Sequence, residues 1–238
     1  MKRRFAAIFF CFLMLPALTA GAAASDRPKG YMALTFDDGP SGPITEALLD
    51  GLRSRGVKAT FFVCAYRVAR YPQALCRAAA EGHEIGLHSC CHDYMHQLPR
   101  EAVYDDLCEN IEAVRECCGV TPRLFRPPGG LYSEALTQAA KDAGQAVILW
   151  SVDPRDWDKE ASRHSLSAIL QHAEDGSVIL MHELSMRSVE TALAAVDALQ
   201  AQGYEFCTVS ELAHAAGIVP EAGAVYSSFP TQQTKPCK

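Results

Sequence analysis

The chain has 238 residues, 49% of them hydrophobic and 21% charged, with a formal net charge of −6. That balance is globular and argues against extended disorder. The only basic run is Lys2, Arg3 and Arg4, which excludes the concentrated positive patch a nucleic-acid partner requires.

Those three cations precede an apolar stretch from Phe5 to Leu18 and small residues from Thr19 to Ala24. Positive flank, short apolar run and small-x-small ending are the parts of a secretory signal, so residues 1–24 are expected to be cleaved after Ala24. The mature chain would then be secreted or associated with the cell envelope, with no stable membrane span. An uncleaved N-terminal membrane anchor is the rival, because Phe5 to Ala24 just reaches spanning length. Its second half is Ala and Gly rather than Leu or Ile, which favours cleavage. Removal of Cys11 leaves nine of the 10 cysteines. In an oxidising compartment an odd count leaves at least one thiol free or bridging two molecules, and Cys237 is the first candidate. The neighbours Cys90–Cys91 and Cys117–Cys118 are poorly placed to bond each other. Connectivity is otherwise open, and no CxxC pair points to a zinc cluster.

Residues 25–216 read as a single domain of strands alternating with helices. The predicted strands are Tyr31–Phe36, Ala59–Val63, Glu84–Leu87, Leu124–Arg126, Ala146–Trp150, Ser177–Met181 and Glu205–Val209. Between the first two lies a helix with Pro43 in its first turn, Ile44, Leu48 and Leu52 on one face, and Gly56 after its end. Leu107, Ile111 and Val114 mark a later helix, and Leu193, Val196 and Leu199 another. About seven strand–helix units fit a closed or nearly closed parallel barrel, or an open doubly wound sheet. Either gathers function at the carboxyl ends of its strands. Residues 217–238, ending SSFPTQQTKPCK, are expected to form an irregular, loosely packed tail.

Polar clusters follow the predicted strands. In TFDDGP, the adjacent carboxylates of Asp37 and Asp38 repel each other, a cost that a cation or an acid–base role would offset. An ordinary Asx-type turn is the plain alternative. In HSCCH, His88 and His92 are four residues apart, which in a helical turn places both imidazoles on one face. With a carboxylate they make a two-histidine, one-carboxylate site for a divalent cation. The alternative is a solvated helix face. Cys90 and Cys91 would project elsewhere from such a turn.

The order TFDDGP, HSCCH, RPPGG, DPRDW and LMH, spanning Thr35 to His182, resembles the polysaccharide deacetylase (NodB-homology) family, carbohydrate esterase family four. It is most similar to the family's exported peptidoglycan N-acetylglucosamine deacetylases. The resemblance implies an α/β fold, a distorted (β/α)7-type barrel forming one catalytic domain. It implies a metal-dependent hydrolase that removes N-acetyl groups from amino sugars of a polysaccharide. Asp37 would be the general base, and Asp38, His88 and His92 would hold one divalent ion. Zinc suits that ligand set, with cobalt, nickel or manganese as alternatives. Arg126 would pair with Asp37, while Asp156 would orient His182, the general acid for the leaving amine. Gly129 would offer its backbone N–H to the oxyanion, and Trp157 and Leu180 would line the sugar and acetyl pocket. Many relatives carry an aromatic where this chain has Gly129, so a more open groove is expected. His83, His96, His164, His172 and His214 match no motif and read as surface or structural residues.

Export together with SVDPRDW favours peptidoglycan N-acetylglucosamine as the substrate. Chitin oligomers and O-acetylated xylan are the alternatives, and muramic-acid-specific relatives, which lack a comparable DPRDW, rank lower. The chain is expected to act as a monomer on an N-acetylated polysaccharide. A non-catalytic carbohydrate-binding module on the same fold would be expected to have lost Asp37 or His182, and both are present. A disulfide-stabilised interaction domain would explain the cysteines but not the motif order.

Overall fold

The apolar run GYMALTF carries its buried character on into the two carboxylates, and all of GYMALTFDDG forms the first strand, β1 (Gly30–Gly39). The computed structural model describes residues 28–231. The expected signal segment, its expected cleavage site and Cys237 lie outside them. After β1 come α1 (Pro43–Ser54), β2 (Thr60–Val63), α2 (Ala65–Arg70), α3 (Pro72–Ala80) and β3 (Glu84–Leu87). Next are α4 (Arg100–Cys118), β4 (Leu124–Phe125), α5 (Glu134–Asp142), β5 (Ala146–Ile148) and α6 (Ser165–His172). The chain continues through β6 (Val178–His182), α7 (Met186–Ala201), β7 (Tyr204–Cys207), α8 (Val209–Ala215) and β8 (Val225–Tyr226).

Helical crossovers let each strand pair in parallel with its neighbours, in the order β6-β1-β2-β3-β4-β5-β8, with β7 also paired to β1. The sheet curls. Beyond β5 the chain bridges back to β6, where Val152 pairs with Ile179 and Leu180 N–H donates to the Val152 carbonyl at 2.9 Å. β2 to β6 are short and largely buried on both faces, so they read as continuous apolar runs rather than alternating ones. Phe36 and Phe61 stack at 5.4 Å inside the core, and Leu48, Leu49 and Leu52 of α1 are fully buried against it. Burial of each such side chain contributes roughly 1.5–3 kcal/mol.

The seven predicted strands are all present, with ends shifted by up to a few residues. The described part of the expected irregular tail, residues 217–231, is partly built into the sheet. Val225 and Tyr226 of β8 pair with Val147 and Ile148, Phe229 is fully buried beside Tyr226, and Thr231 bonds to Asp175. A two-residue strand has too little pattern to stand out in sequence, yet it covers the free edge of β5. Phe229→Ala should therefore destabilise the fold by about 3–5 kcal/mol, the range for truncating a buried aromatic. Chemical denaturation checks this, and a change within the range of surface substitutions would restore the loose-tail reading. Among the described residues no helix is long and apolar enough to cross a membrane.

Candidate active site

Parallel pairing of β1 with β6 sets Asp37 opposite His182 and Thr35 opposite Leu180, so the two outermost polar residues arrive side by side at the carboxyl end of the sheet. Beyond Asp37 the β1–β2 register slips, and Asp38 takes a left-handed φ of 68°. This bulge is what re-aims two consecutive carboxylates, which a regular strand would send to opposite faces. The pair therefore belongs to a distorted strand end rather than to an Asx-type turn.

Asp37 is buried and accepts a hydrogen bond from Arg126 Nη1 at 2.7 Å. Arg126 is wholly enclosed. It donates to Thr35 Oγ1 and to the carbonyls of Ile148 and Leu149, and its guanidinium lies 4.1 Å from the Phe62 ring centroid. Burial pulls the guanidinium below its ordinary pKa, and Asp37 works against that. A buried ion pair with all three guanidinium nitrogens hydrogen-bonded holds its carboxylate in one orientation.

Asp38 Oδ1 lies 3.3 Å from His88 Nε2 and 3.2 Å from His92 Nε2. Its Oδ1 is buried with no hydrogen-bond partner. His88 Nδ1 sits 2.7 Å from the Arg126 carbonyl, which can only accept, so Nδ1 carries the proton and Nε2 presents a lone pair to Asp38. A lone pair facing a carboxylate oxygen is repulsive unless a cation lies between them. Asp38, His88 and His92 bring their ligand atoms within 4.8 Å of one another, and this donor set fits one divalent ion.

The two histidines do not meet on a helix. Residues 88–92 form an irregular loop in which Ser89 and His92 adopt left-handed φ values of 65° and 64°. His92 N–H donates to Ser89 Oγ, Cys90 N–H to Asp106, and Asn110 of α4 donates to the carbonyls of Ser89 and Val63. The expected helical turn gives way because these side chains offer the loop's backbone an alternative set of partners.

Across the cleft, Asp156 accepts from both His182 N–H at 2.9 Å and His182 Nδ1 at 2.8 Å. The other ring nitrogen, Nε2, is left for the cavity. Burial works to lower the His182 pKa, but the Asp156 hydrogen bond and the charges of Asp37, Asp156 and Asp38 outweigh it, and the imidazole sits above its ordinary value. One residue on, Glu183 is fully buried with its carboxyl pushed up to about 8 by that burial. Its Oε1 lies only 1.5 Å from where a Cβ on Gly39 would sit, so the TFDDGP segment needs glycine at that position. Thr45 bonds its other oxygen. Of the histidines outside the motifs, His83 is buried and accepts from Ala59 N–H, with its pKa lowered to about 4 by burial. That is a structural role.

The resulting cavity, ≈ 300 Å³, is lined by Asp37, Asp38, His88, His92, His182, Gly129, Trp157 and Leu180. Arg126 and Asp156 stand behind it as the partners of Asp37 and His182. Tyr94, Trp150 and Asp153 complete the wall. The open groove expected at Gly129 is not found. A Cβ at Gly129 would lie 2.7 Å from Tyr94 Cε1, so the tyrosine ring fills that space. Gly129 also has φ 66°, where other residues are strained. Tyr94 escaped the sequence reading because it belongs to no motif, although an aromatic two residues past His92 was the available signal.

A three-ligand cluster, an arginine-held carboxylate and an aspartate-held imidazole around one cleft are the equipment of a hydrolytic α/β protein. Comparison with known proteins gives the particular family. The sequence profile described as "Polysaccharide deacetylase" matches residues 24–148. The chain is 38% identical over 202 residues to a peptidoglycan-N-acetylglucosamine deacetylase of Bacillus cereus, covering 78% of this chain and 94% of that protein. It is 36% identical over 181 residues to the peptidoglycan-N-acetylglucosamine deacetylase PgdA of Listeria monocytogenes, covering 76% of this chain. The match spans only 38% of the Listeria protein's length. A solved structure described as T48 deacetylase with substrate superposes with a TM-score of 0.77 at 34% identity, covering 84% of this chain and 97% of that one. The chain belongs to the polysaccharide deacetylase family.

Proposed function

We propose that the protein hydrolyses the acetamide of N-acetylglucosamine in an envelope polysaccharide, peptidoglycan first, giving the free amine and acetate. The observation that carries this reading is the stranded Asp38 Oδ1 facing two imidazole nitrogens, with Asp37 on one side and His182 on the other. The peptidoglycan deacetylases among the relatives support the choice of polymer. Asp38, His88 and His92 would hold one divalent ion, with zinc the first choice and cobalt, nickel or manganese the alternatives. Such an ion supplies polarisation of the acetyl carbonyl and a more acidic water.

The chain's own groups do the rest. Asp37, oriented by Arg126, takes a proton from the attacking water as its oxygen bonds to the carbonyl carbon. Gly129, which lines the cavity, would offer its backbone N–H to the oxyanion. His182, aligned by Asp156, delivers a proton to the nitrogen as the carbon–nitrogen bond breaks. Trp157 and Leu180 flank the sugar and the acetyl group. The protein would work outside the cytoplasm, as the N-terminal sequence and the envelope substrates of its relatives support, and as a monomer.

The test is acetate release from peptidoglycan, chitin oligomers and acetylated xylan, each with and without a chelator. Chelator-sensitive release, greatest from peptidoglycan, is expected. Release from none of them would favour a non-catalytic carbohydrate-binding role on this fold. A further expectation concerns Tyr94, whose ring is exposed inside the cleft. If it stacks on the sugar, Tyr94→Ala should raise KM for oligomers roughly 2- to 10-fold with kcat little changed, since one aromatic contact contributes about 0.5–1.5 kcal/mol. Steady-state kinetics on a defined oligomer reads this directly, and an unchanged KM would remove Tyr94 from the binding surface.

A further inference from the structure

α3 and α4 pack side by side, and each presents a cysteine to the other. Cys76 Sγ and Cys117 Sγ approach to 3.6 Å, and Cys76 Sγ also lies 3.1 Å from the Cys117 carbonyl oxygen. Both residues are half-buried, so solvent-borne thiol reagents can reach the pair. A disulfide needs the sulfurs about 1.5 Å closer, a distance that side-chain rotation and a small helix shift can supply.

The neighbouring cysteines are otherwise engaged. Cys118 turns back to donate to the Val114 carbonyl of its own helix. Cys64 and Cys90 are buried, out of reach of solvent-borne reagents, and donate to the His88 and Asp106 carbonyls. In sequence Cys117 and Cys118 are indistinguishable as partners. The helix face that each occupies separates them.

We propose that Cys76 and Cys117 form an intramolecular disulfide that clamps α3 to α4. The oxidant is a small-molecule or protein disulfide. One thiolate attacks it, releasing one thiol and leaving a mixed disulfide, and the second attacks that mixed disulfide and displaces the oxidant's remaining thiol. The two cysteines together lose two protons and two electrons, and the oxidant is reduced to two thiols. The bridge would close a long loop that contains β3 and residues 88–92. The same α4 carries Asp106 and Asn110, which hold the backbone of Ser89 and Cys90. A fixed α4 therefore steadies the segment that presents His88 and His92.

The test uses the full chain, purified under reduction and equilibrated with oxidised and reduced glutathione, so it does not depend on where the protein resides. Digestion without reduction should yield a peptide joining Cys76 to Cys117. The bridged form should melt roughly 5–15 °C above the reduced form. Cys118→Ser should keep the link, and Cys117→Ser and Cys76→Ser should each abolish it, with circular dichroism confirming that the variants are folded. A link from Cys76 to Cys118, or Cys76 recovered as free thiol or glutathione adduct, would overturn the pairing. A bridge that formed without raising the melting temperature would overturn the clamp.

Discussion

Asp37→Asn should reduce turnover by about 10²–10⁴-fold, the usual contribution of a general base, while the protein retains its metal. Asp38→Asn should lose metal and activity together. The geometry separates two adjacent carboxylates along the division that the family resemblance implies. Asp37 has one oxygen taken by Arg126 and the other 3.7 Å from His88 Nε2. Asp38 Oδ1 stands nearly equidistant from both imidazoles and has no hydrogen-bond partner. Asparagine at position 37 still offers an oxygen to Arg126, so the fold should tolerate it better than alanine, which would leave a buried guanidinium unpaired at a cost of about 3–5 kcal/mol. Elemental analysis of each purified variant, beside acetate release and a melting curve, decides the assignment. Metal lost from Asp37→Asn and kept by Asp38→Asn would exchange the two roles. Full activity in both would dismiss the mechanism.

Much of this site is legible in the sequence because each motif sits where a buried strand ends, and a parallel sheet collects such ends on one side. The strand YMALTF, the periodic face of α1 and the motif order from Thr35 to His182 are sufficient for that much. The missing parts share a physical cause, in that tertiary contacts set them rather than local pattern. Four-residue spacing predicts a helical pair for His88 and His92, but Asp106 and Asn110, more than a dozen residues on, hold the loop in another shape. Gly129 signals an open groove only until Tyr94 arrives from a different loop. The buried Glu183 becomes meaningful only beside Gly39, which lies on a strand far away in sequence. β8 is too short for any period, and only its pairing with β5 identifies it.

The second large effect belongs to the imidazole that faces Asp37 across the strands. His182→Ala should cost about 10²–10⁴-fold in kcat, because the amine is a poor leaving group until it is protonated. The supporting aspartate should fail differently. The pKa of His182 is raised in the folded protein, so the charged, proton-donating form persists above the ordinary histidine value and the rate should fall only as pH rises through that raised value. The same linkage makes the histidine's contribution to stability fully present below its unfolded pKa and lost as pH rises through the folded one. Asp156→Asn removes a negative charge and one of the two acceptors that hold His182. Its basic limb in the pH profile of kcat should therefore move to lower pH, and its maximal rate should fall because the ring is less well aligned. A merely structural role for Asp156 would lower activity equally at every pH. Full pH profiles of the wild type and Asp156→Asn, with His182→Ala fixing the floor, distinguish these outcomes, and an unmoved basic limb in Asp156→Asn would break the assigned link between the aspartate and the acid.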